Sequence, residues 1–304
     1  MFRSRILGTF IALTTSSFFP LICLASPQSE TFLKQADCRN FVRNNDANII
    51  LGSKLGIITI DNQGRQTLYK LEHNVRDALL ANHQIFVLAD NEIIRIDTAS
   101  GNETGRAPTQ NIKPSDQLLA HEKPRAIGLY DNLLVVAHGT LGVAVFDQDT
   151  LEFKNLINLD TDQKVKSLAQ DIAVKDDSIY VLADNFQINP VRPNVQFRGI
   201  LELDIDQAKI LNRFSGLDPG VTALARHEDA VLVSFGGNPV WKLRTPLNSN
   251  HSIQKGSRLL TDLVSHGRLV GHFSLDDQYV WSCHRTKGRD GYAPAIFERS
   301  ALGI

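Results

Sequence analysis

Residues 131–147 read DNLLVVAHGTLGVAVFD, and this stretch decides the fold class. Two short apolar runs, LLVVA at 133–137 and VAVF at 143–146, flank the segment HGTLG. Runs of this length and composition are typical of buried strands, and a short glycine-containing connection between them predicts an antiparallel hairpin. The aspartate and asparagine that bound the stretch are turn residues. The stretch therefore predicts two neighbouring strands of one antiparallel sheet.

The same pair of strands recurs six times along the chain, at an average spacing of roughly 46 residues, which is the length of one β-propeller blade. The first strand of each pair is an apolar run; these runs lie at 48–53, 85–90, 133–138, 179–184, 230–235 and 279–284. The second strand ends in aspartate in four repeats, at Asp61, Asp97, Asp147 and Asp204. Because an aspartate at a strand end commonly caps the following turn, we expect turn roles for these four residues.

A third apolar segment precedes most pairs, as at 170–177, and a weaker fourth follows, as at 150–159. Each repeat therefore predicts a four-stranded antiparallel sheet, which cannot cover both of its faces alone. Radial stacking buries each face against the next sheet, so the sequence predicts an all-β protein, a β-propeller of six four-stranded blades. Seven blades stay open because residues 98–122 are hard to assign, and a β-sandwich is the competing architecture.

The composition is that of an ordinary globular chain. Of the 304 residues, 42% are hydrophobic and 21% are charged, and 32 Lys+Arg balance 33 Asp+Glu. This excludes collagen-like, disulfide-dense and strongly disordered classes, and the lack of a basic excess argues against nucleic acid as a partner.

The N-terminus has the pattern of a secretory signal peptide. Arg3 and Arg5 precede a charge-free, mostly apolar stretch, and the small residues Cys23 and Ala25 suit cleavage before Ser26. We expect a signal peptide over 1–25 and a single propeller domain over 26–304, without a membrane span after cleavage. A retained membrane anchor is the alternative, which a central polar run and a proline weaken. The mature protein is thus expected to be periplasmic or secreted.

Two cysteines, Cys38 and Cys283, remain near opposite ends of the mature chain. An exported compartment permits disulfides, and a propeller brings its first and last blades together. A bond between them would close a long loop and stabilise the ring by roughly 4–5 kcal/mol in the chain-entropy model. The alternative is two unrelated buried thiols.

The strand pairs at 131–147 and 177–204 resemble the YVTN/LVIVD-type repeats of β-propeller proteins. The resemblance covers nearly the whole mature chain and implies the fold. Such families include binding scaffolds, surface proteins and some enzymes, so the resemblance leaves the function open.

Within a blade, the two strands of each pair are the second and third strands. The connection between them is long in two blades, at 184–199 and 284–295, and both long connections are basic and contain aromatic residues. Arginine suits the recognition of carboxylate or phosphate, so we expect an anionic ligand or partner on this face of the ring. The candidate binding residues in these loops are Arg192, Phe197, Arg198, Arg285, Lys287, Arg289 and Tyr292. The alternative is two solvated loops that keep the rim soluble.

The strands at 133–138 and 279–284 end in histidine on the same predicted face. His138 and His284 are therefore further candidates for ligand or partner binding, because histidine binds metals and transfers protons near neutral pH. Equivalent positions around a ring lie too far apart to share one metal ion, so structural turn roles are the alternative.

The chain lacks a nucleophile elbow, a phosphate-binding loop, a zinc-protease motif and a dinucleotide fingerprint. We therefore expect a non-enzymatic exported scaffold that binds another exported protein or an anionic component of the cell envelope, without a cofactor. The alternative is a propeller hydrolase or lactonase with a divalent metal at the mouth of the central channel. Its candidate residues on or near innermost strands are Asp171, His227, Asp229 and His272.

Overall fold

The computed structural model describes the part of the chain that forms the repeats. The described residues are 42–45, 48–53, 55–61, 65–110, 118–159, 165–175, 178–187, 196–217, 221–227, 230–235, 240–243, 255–258, 274–275, 279–285, 292–298 and 300. The expected signal peptide and Cys38 lie outside them.

Within these residues the chain forms six consecutive antiparallel sheets, five with four strands and the last with three. The strands of the first three sheets are β1 (Val42–Asn45), β2 (Asn48–Ser53), β3 (Gly56–Ile60) and β4 (Gln66–Lys70); β5 (Val75–Ala81), β6 (Gln84–Ala89), β7 (Glu92–Asp97) and β8 (Glu103–Pro108); β9 (Ala126–Tyr130), β10 (Leu133–Ala137), β11 (Val143–Asp147) and β12 (Phe153–Ile157). The strands of the other three are β13 (Val165–Lys175), β14 (Ser178–Gln187), β15 (Gln196–Asp204) and β16 (Lys209–Leu217); β17 (Val221–His227), β18 (Ala230–Phe235), β19 (Val240–Leu243) and β20 (Lys255–Arg258); β21 (Ser274–Leu275), β22 (Tyr279–Arg285) and β23 (Tyr292–Glu298).

The first strands of the six sheets form a closed ring. β1 contacts β5, β5 contacts β9, and the series continues through β13 and β17 to β21, which in turn contacts β1. These strands therefore surround a central channel, and each sheet is one blade. The prediction of an all-β propeller is confirmed, with six blades in the described part of the chain. Residues 98–122, which are hard to assign to a blade from sequence, contain β8 and a short 3-10 helix, Ala120–Glu122.

Apolar side chains pack between neighbouring blades, and alternate residues of one strand serve opposite neighbours. In β6, Val87 joins a cluster with the first blade, while Phe86 and Leu88 join a cluster with the third. In β14, Val181 packs towards the third blade, and Leu182 packs towards the fifth. The near-continuous apolar runs of the sequence follow from this arrangement, because every residue of a central strand is buried on one side or the other.

The aspartates at the ends of third strands cap turns, as the sequence predicts. Asp97 Oδ1 accepts hydrogen bonds from the Ser100 amide and hydroxyl, both at 2.7 Å. Asp147 Oδ1 accepts from the Thr150 amide at 2.9 Å, and Asp204 Oδ1 accepts from the Gln207 amide at 2.8 Å. In each turn the fourth residue after the aspartate has a left-handed backbone; these residues are Gly101, Leu151 and Ala208.

Among the described residues, the structure contains no helix with the length and hydrophobicity needed to cross a membrane.

Candidate functional site

The innermost strand of each blade begins on one face of the ring, and the loop between the second and third strands opens on that same face because the strands alternate in direction. We call this the upper face. The turns between first and second strands, and between third and fourth strands, lie on the opposite, lower face.

The innermost strands carry a β-bulge at the same place near the upper face. The register against the second strand shifts between Val75 and Asp77 in β5, between Ala169 and Asp171 in β13, and between Val221 and Ala223 in β17. The extra residues are Arg76, Gln170 and Thr222. In the third blade Arg125 occupies the corresponding position, directly before β9, and its amide donates to the Ala137 carbonyl at 2.9 Å.

Four side chains at this level form what we call the mouth cluster: Arg76, Arg125, Gln170 and Asp184. Arg125 Nη1 donates to Gln170 Oε1 at 2.8 Å, which joins the third blade to the fourth. Gln170 Nε2 donates to Asp184 Oδ2, also at 2.8 Å. Asp184 is buried, with 5% of its surface exposed, and the other three residues are half-buried. The chain of hydrogen bonds fixes the orientation of the Arg125 guanidinium.

The mouth cluster contains two guanidinium groups and one carboxylate. Burial and then the positive charge of Arg76 lower the pKa of Arg125, and the carboxylate of Asp184 opposes this shift. The Nε atoms of Arg76 and Arg125 are both buried, and neither has a hydrogen-bond partner among the described residues. The carboxylate of Asp184, which acts on Arg125, already accepts from Gln170.

Two aspartates that follow the bulges join neighbouring blades and have a structural role. Asp171 Oδ1 and Oδ2 accept from the main-chain amides of Ile172 and Leu224, both at 2.8 Å. Asp171 was a candidate of the hydrolase alternative, but both of its oxygens bind main-chain amides. Asp77 accepts the equivalent hydrogen bonds, from the main-chain amides of Ala78 and Ile127. Asp77 was missed from sequence, although Arg76-Asp77 and Gln170-Asp171 lie at corresponding bulges of β5 and β13.

His138 is fully buried between the second and third blades. Its Nε2 lies 2.8 Å from Thr109 Oγ1, which itself donates to the Asn91 carbonyl at 2.9 Å. Because the hydroxyl proton is directed at Asn91, His138 Nε2 carries the proton that links the two side chains. Burial lowers the pKa of His138 to about 4, so the ring is neutral near pH 7. The geometry is that of a structural hydrogen bond, and a binding role for His138 stays a prediction.

The long connection of the fourth blade is shorter than the sequence suggests, because the sheet itself is longer: β13 pairs with β14 as far as Val165 and Gln187. β14 has 10 residues and β15 has 9, against 5 in both β10 and β11. Asp184 pairs with Arg198, and the ladder runs on through Asn185–Phe197 to Phe186–Gln196. The predicted residues Phe197 and Arg198 thus lie in β15, next to the mouth cluster along the backbone, and Arg192 lies outside the described residues.

The second basic connection is also partly strand. His284 and Arg285 lie in β22, where Arg285 pairs with Tyr292 of β23, and Cys283 pairs with Pro294. Lys287 and Arg289 are outside the described part of the chain. The fourth and sixth blades are separated by the fifth, so the two basic connections belong to non-adjacent blades of one face. Their role in binding stays a prediction.

A cleft of about 470 Å³ opens on the lower face between the first two blades. Its polar groups hold the surrounding turns: Tyr69 Oη donates to the Thr98 carbonyl at 3.2 Å, and Arg65 pairs with Asp61 at 2.6 Å. Within the described residues, no three His, Cys, Asp or Glu side chains cluster so that they could hold a metal ion.

Comparisons with solved structures agree with the fold. The WD40 domain of Pan2 from Neurospora crassa superposes with a TM-score of 0.53 at 13% identity, covering 80% of this chain and 71% of that one. A chain of the mitotic checkpoint complex gives a TM-score of 0.54 at 9% identity, covering 86% and 88%. BamB from Moraxella catarrhalis gives a TM-score of 0.49 at 14% identity, covering 84% of this chain and 83% of that one. No protein-family model and no curated protein sequence matches this chain. At these identities the first two likenesses show the propeller fold alone.

Proposed function

We propose that this chain is an exported, non-enzymatic propeller of the YVTN/LVIVD type, which binds another exported protein or an anionic envelope component through its upper face. The observation that carries the proposal is the extended upper end of the fourth blade, where β13, β14 and β15 are longer than the strands of the third blade. Radial packing needs only the part of a blade that faces its neighbours, so we infer that the added length serves to contact a partner. The two neighbours with TM-scores above 0.5, a WD40 domain and a chain of a checkpoint complex, fit a scaffold role.

The charge of the upper face supports an anionic partner surface. The mouth cluster is rich in arginine, and by sequence the two basic connections add Arg192, Arg198, Arg285 and further cations around it. Arginine at an interface forms paired hydrogen bonds with carboxylate or phosphate and raises the rate of encounter with a negatively charged partner.

Charge reversal tests the proposal. The double variant Arg192→Glu/Arg285→Glu is compared with wild type for the capture of one partner, identified by mass spectrometry after cross-linking in cells. The matched control is Arg65→Glu, an exposed arginine of the lower face. We expect the double variant to capture at least about tenfold less partner than wild type, and the control to capture as much as wild type. Equal capture by all three proteins contradicts the proposal.

Export and the Cys38–Cys283 bond form part of the same proposal. N-terminal sequencing of the protein from the cell envelope or medium should start at Ser26, and thiol titration of the denatured, unreduced protein should find no free thiol. An intact N-terminus in the cytosol, with free thiols at Cys38 and Cys283, contradicts this part.

A further inference from the structure

The mouth cluster places two like charges in neighbouring blades. Arg76 and Arg125 occupy corresponding positions in the second and third blades, and the charge of Arg76 is felt at Arg125. Neither forms an ion pair with a described residue. Asp77, which follows Arg76 in the chain, accepts from the amides of Ala78 and Ile127 at 2.9 and 2.8 Å, and among the described residues no ion pair joins its carboxylate to Arg76 or Arg125.

The ring itself does not need arginine at these positions. The equivalent bulge carries Gln170 in the fourth blade and Thr222 in the fifth, and both blades form the same four-stranded sheet. Half-buried guanidinium groups that repel each other destabilise a fold unless something compensates them. An arginine pair that packing does not require, and whose buried Nε–H groups have no acceptor among the described residues, calls for another role.

The remaining contacts hold the pair ready for an anion. Arg125 is oriented by its bond to Gln170, and Gln170 is held by Asp184, so the guanidinium is fixed before any ligand arrives. Two guanidinium groups offer several N–H donors in planar forks, which match the oxygens of a carboxylate or a phosphate. Partial burial strengthens such contacts relative to bulk water.

We propose that the mouth of the central channel binds a single oxyanionic group, a carboxylate or a phosphate, between Arg76 and Arg125. The group belongs either to a small molecule or to an acidic side chain of a protein seated on the upper face. The site is tested separately from the proposed partner binding, because the partner test changes only residues of the two basic connections.

The experiment is a calorimetric titration of the purified full-length chain, at low ionic strength, with inorganic phosphate and separately with succinate. We expect saturable binding by wild type of at least one of the two. Arg76→Gln and Arg125→Gln should each raise the dissociation constant about tenfold or more, because each removes charge-assisted hydrogen bonds. Arg65→Gln, which removes the same charge from the lower face, should leave it unchanged. No saturable binding by wild type, or equal affinity in all variants, overturns the inference.

A stability measurement decides the matter where a variant folds poorly. In anion-free buffer Arg76→Gln should melt at the same temperature as wild type or higher, because the repulsion is relieved, and phosphate should raise the melting temperature of wild type alone. A phosphate effect of equal size on both proteins contradicts the site. The Arg76→Gln variant then identifies the source: it captures less of the partner if the group is an acidic side chain, and captures as much as wild type if the ligand is a free anion. Loss of partner capture by Arg192→Glu/Arg285→Glu reports on the proposed function separately.

Discussion

Asp171 of the fourth blade accepts a hydrogen bond from the main-chain amide of Leu224 in the fifth blade, at 2.8 Å. Asp77 of the second blade accepts from the amide of Ile127 in the third, also at 2.8 Å. Both aspartates are buried, with at most 1% of their surface exposed. Neighbouring innermost strands are therefore joined by buried hydrogen bonds to a carboxylate as well as by apolar packing, and the bulge before each aspartate lies beside the mouth cluster.

Replacing Asp171 should destabilise the ring. Asp171→Ala leaves the amides of Ile172 and Leu224 buried without their acceptor, which costs roughly 2–5 kcal/mol of unfolding free energy. Asp171→Asn keeps one acceptor oxygen and should cost less. Urea unfolding measures the free energy of unfolding of both variants. The exposed Asp206→Ala is the control and should stay within about 0.5 kcal/mol of wild type. An Asp171→Ala protein as stable as this control contradicts the assignment.

The buried imidazole of His138 predicts a pH dependence of stability. Burial lowers its pKa from 6.5 to about 4 in the folded protein. The unfolded chain binds this proton as the pH falls through about 6.5, and the folded protein binds it only near pH 4. The contribution of His138 to the free energy of unfolding is therefore fully present above pH 6.5 and declines as the pH falls from 6.5 to 4. By pH 5 it has fallen by roughly 2 kcal/mol. Unfolding free energies at pH 7 and pH 5 measure the effect.

A pair of histidine variants isolates this contribution from the other titrating groups. His138→Gln can still donate to Thr109 but cannot be protonated, so its loss of stability between pH 7 and pH 5 should be roughly 2 kcal/mol smaller than that of wild type. His121→Gln changes an exposed side chain and should follow wild type. Parallel pH profiles for His138→Gln and wild type are the result that disagrees.

The left-handed turn positions predict opposite effects for two substitutions. Gly101 has φ +73° and would have nothing within 4 Å of an added Cβ, so Gly101→Ala tests backbone strain alone. We expect it to lower the unfolding free energy by about 1 kcal/mol. Ala208 occupies the equivalent position of the fourth blade with φ 49°, so Ala208→Gly should not destabilise and should raise the melting temperature. Destabilisation by Ala208→Gly contradicts the equivalence of the two turns.

Gly139 combines a left-handed backbone with a close contact. It has φ +54°, and an added Cβ would lie 2.0 Å from the carbonyl oxygen of His121 in the connection before β9. The Gly139 carbonyl also accepts from the Ala169 amide of the fourth blade at 2.9 Å. Gly139→Ala must shift backbone, so it should cost several times as much unfolding free energy as Gly101→Ala. If the two alanine variants lose equal unfolding free energy, the connection before β9 moves aside without an energetic cost, which contradicts this prediction.

Most of the ring could be predicted from sequence because blade packing leaves a periodic signal. Strands such as β6 and β10 are buried on both sides, so apolar residues fill nearly every position, and aspartate marks the turns that follow the third strands. The extension of β14 beyond Asp184 could not be predicted, because the asparagines and prolines within residues 185–195 resemble a loop.

The mouth cluster could not be recognised from sequence for a different reason. Arg76, Arg125 and Gln170 are 49 and 45 residues apart in the chain and share no motif beyond their corresponding positions in three blades. Their contact depends on the β-bulges and on the order of blades around the ring, which no local pattern specifies. From sequence, the candidate arginines and lysine were predicted only in the two long loops, where basic composition is visible.

A crystal structure of the protein grown at low ionic strength in phosphate tests most directly whether the ring holds an external anion. We predict tetrahedral density within hydrogen-bonding distance of the guanidinium groups of Arg76 and Arg125, at the upper mouth of a six-bladed ring. A carboxylate of the chain itself lying between the two arginines, with no anion beside them, is the result that contradicts the prediction.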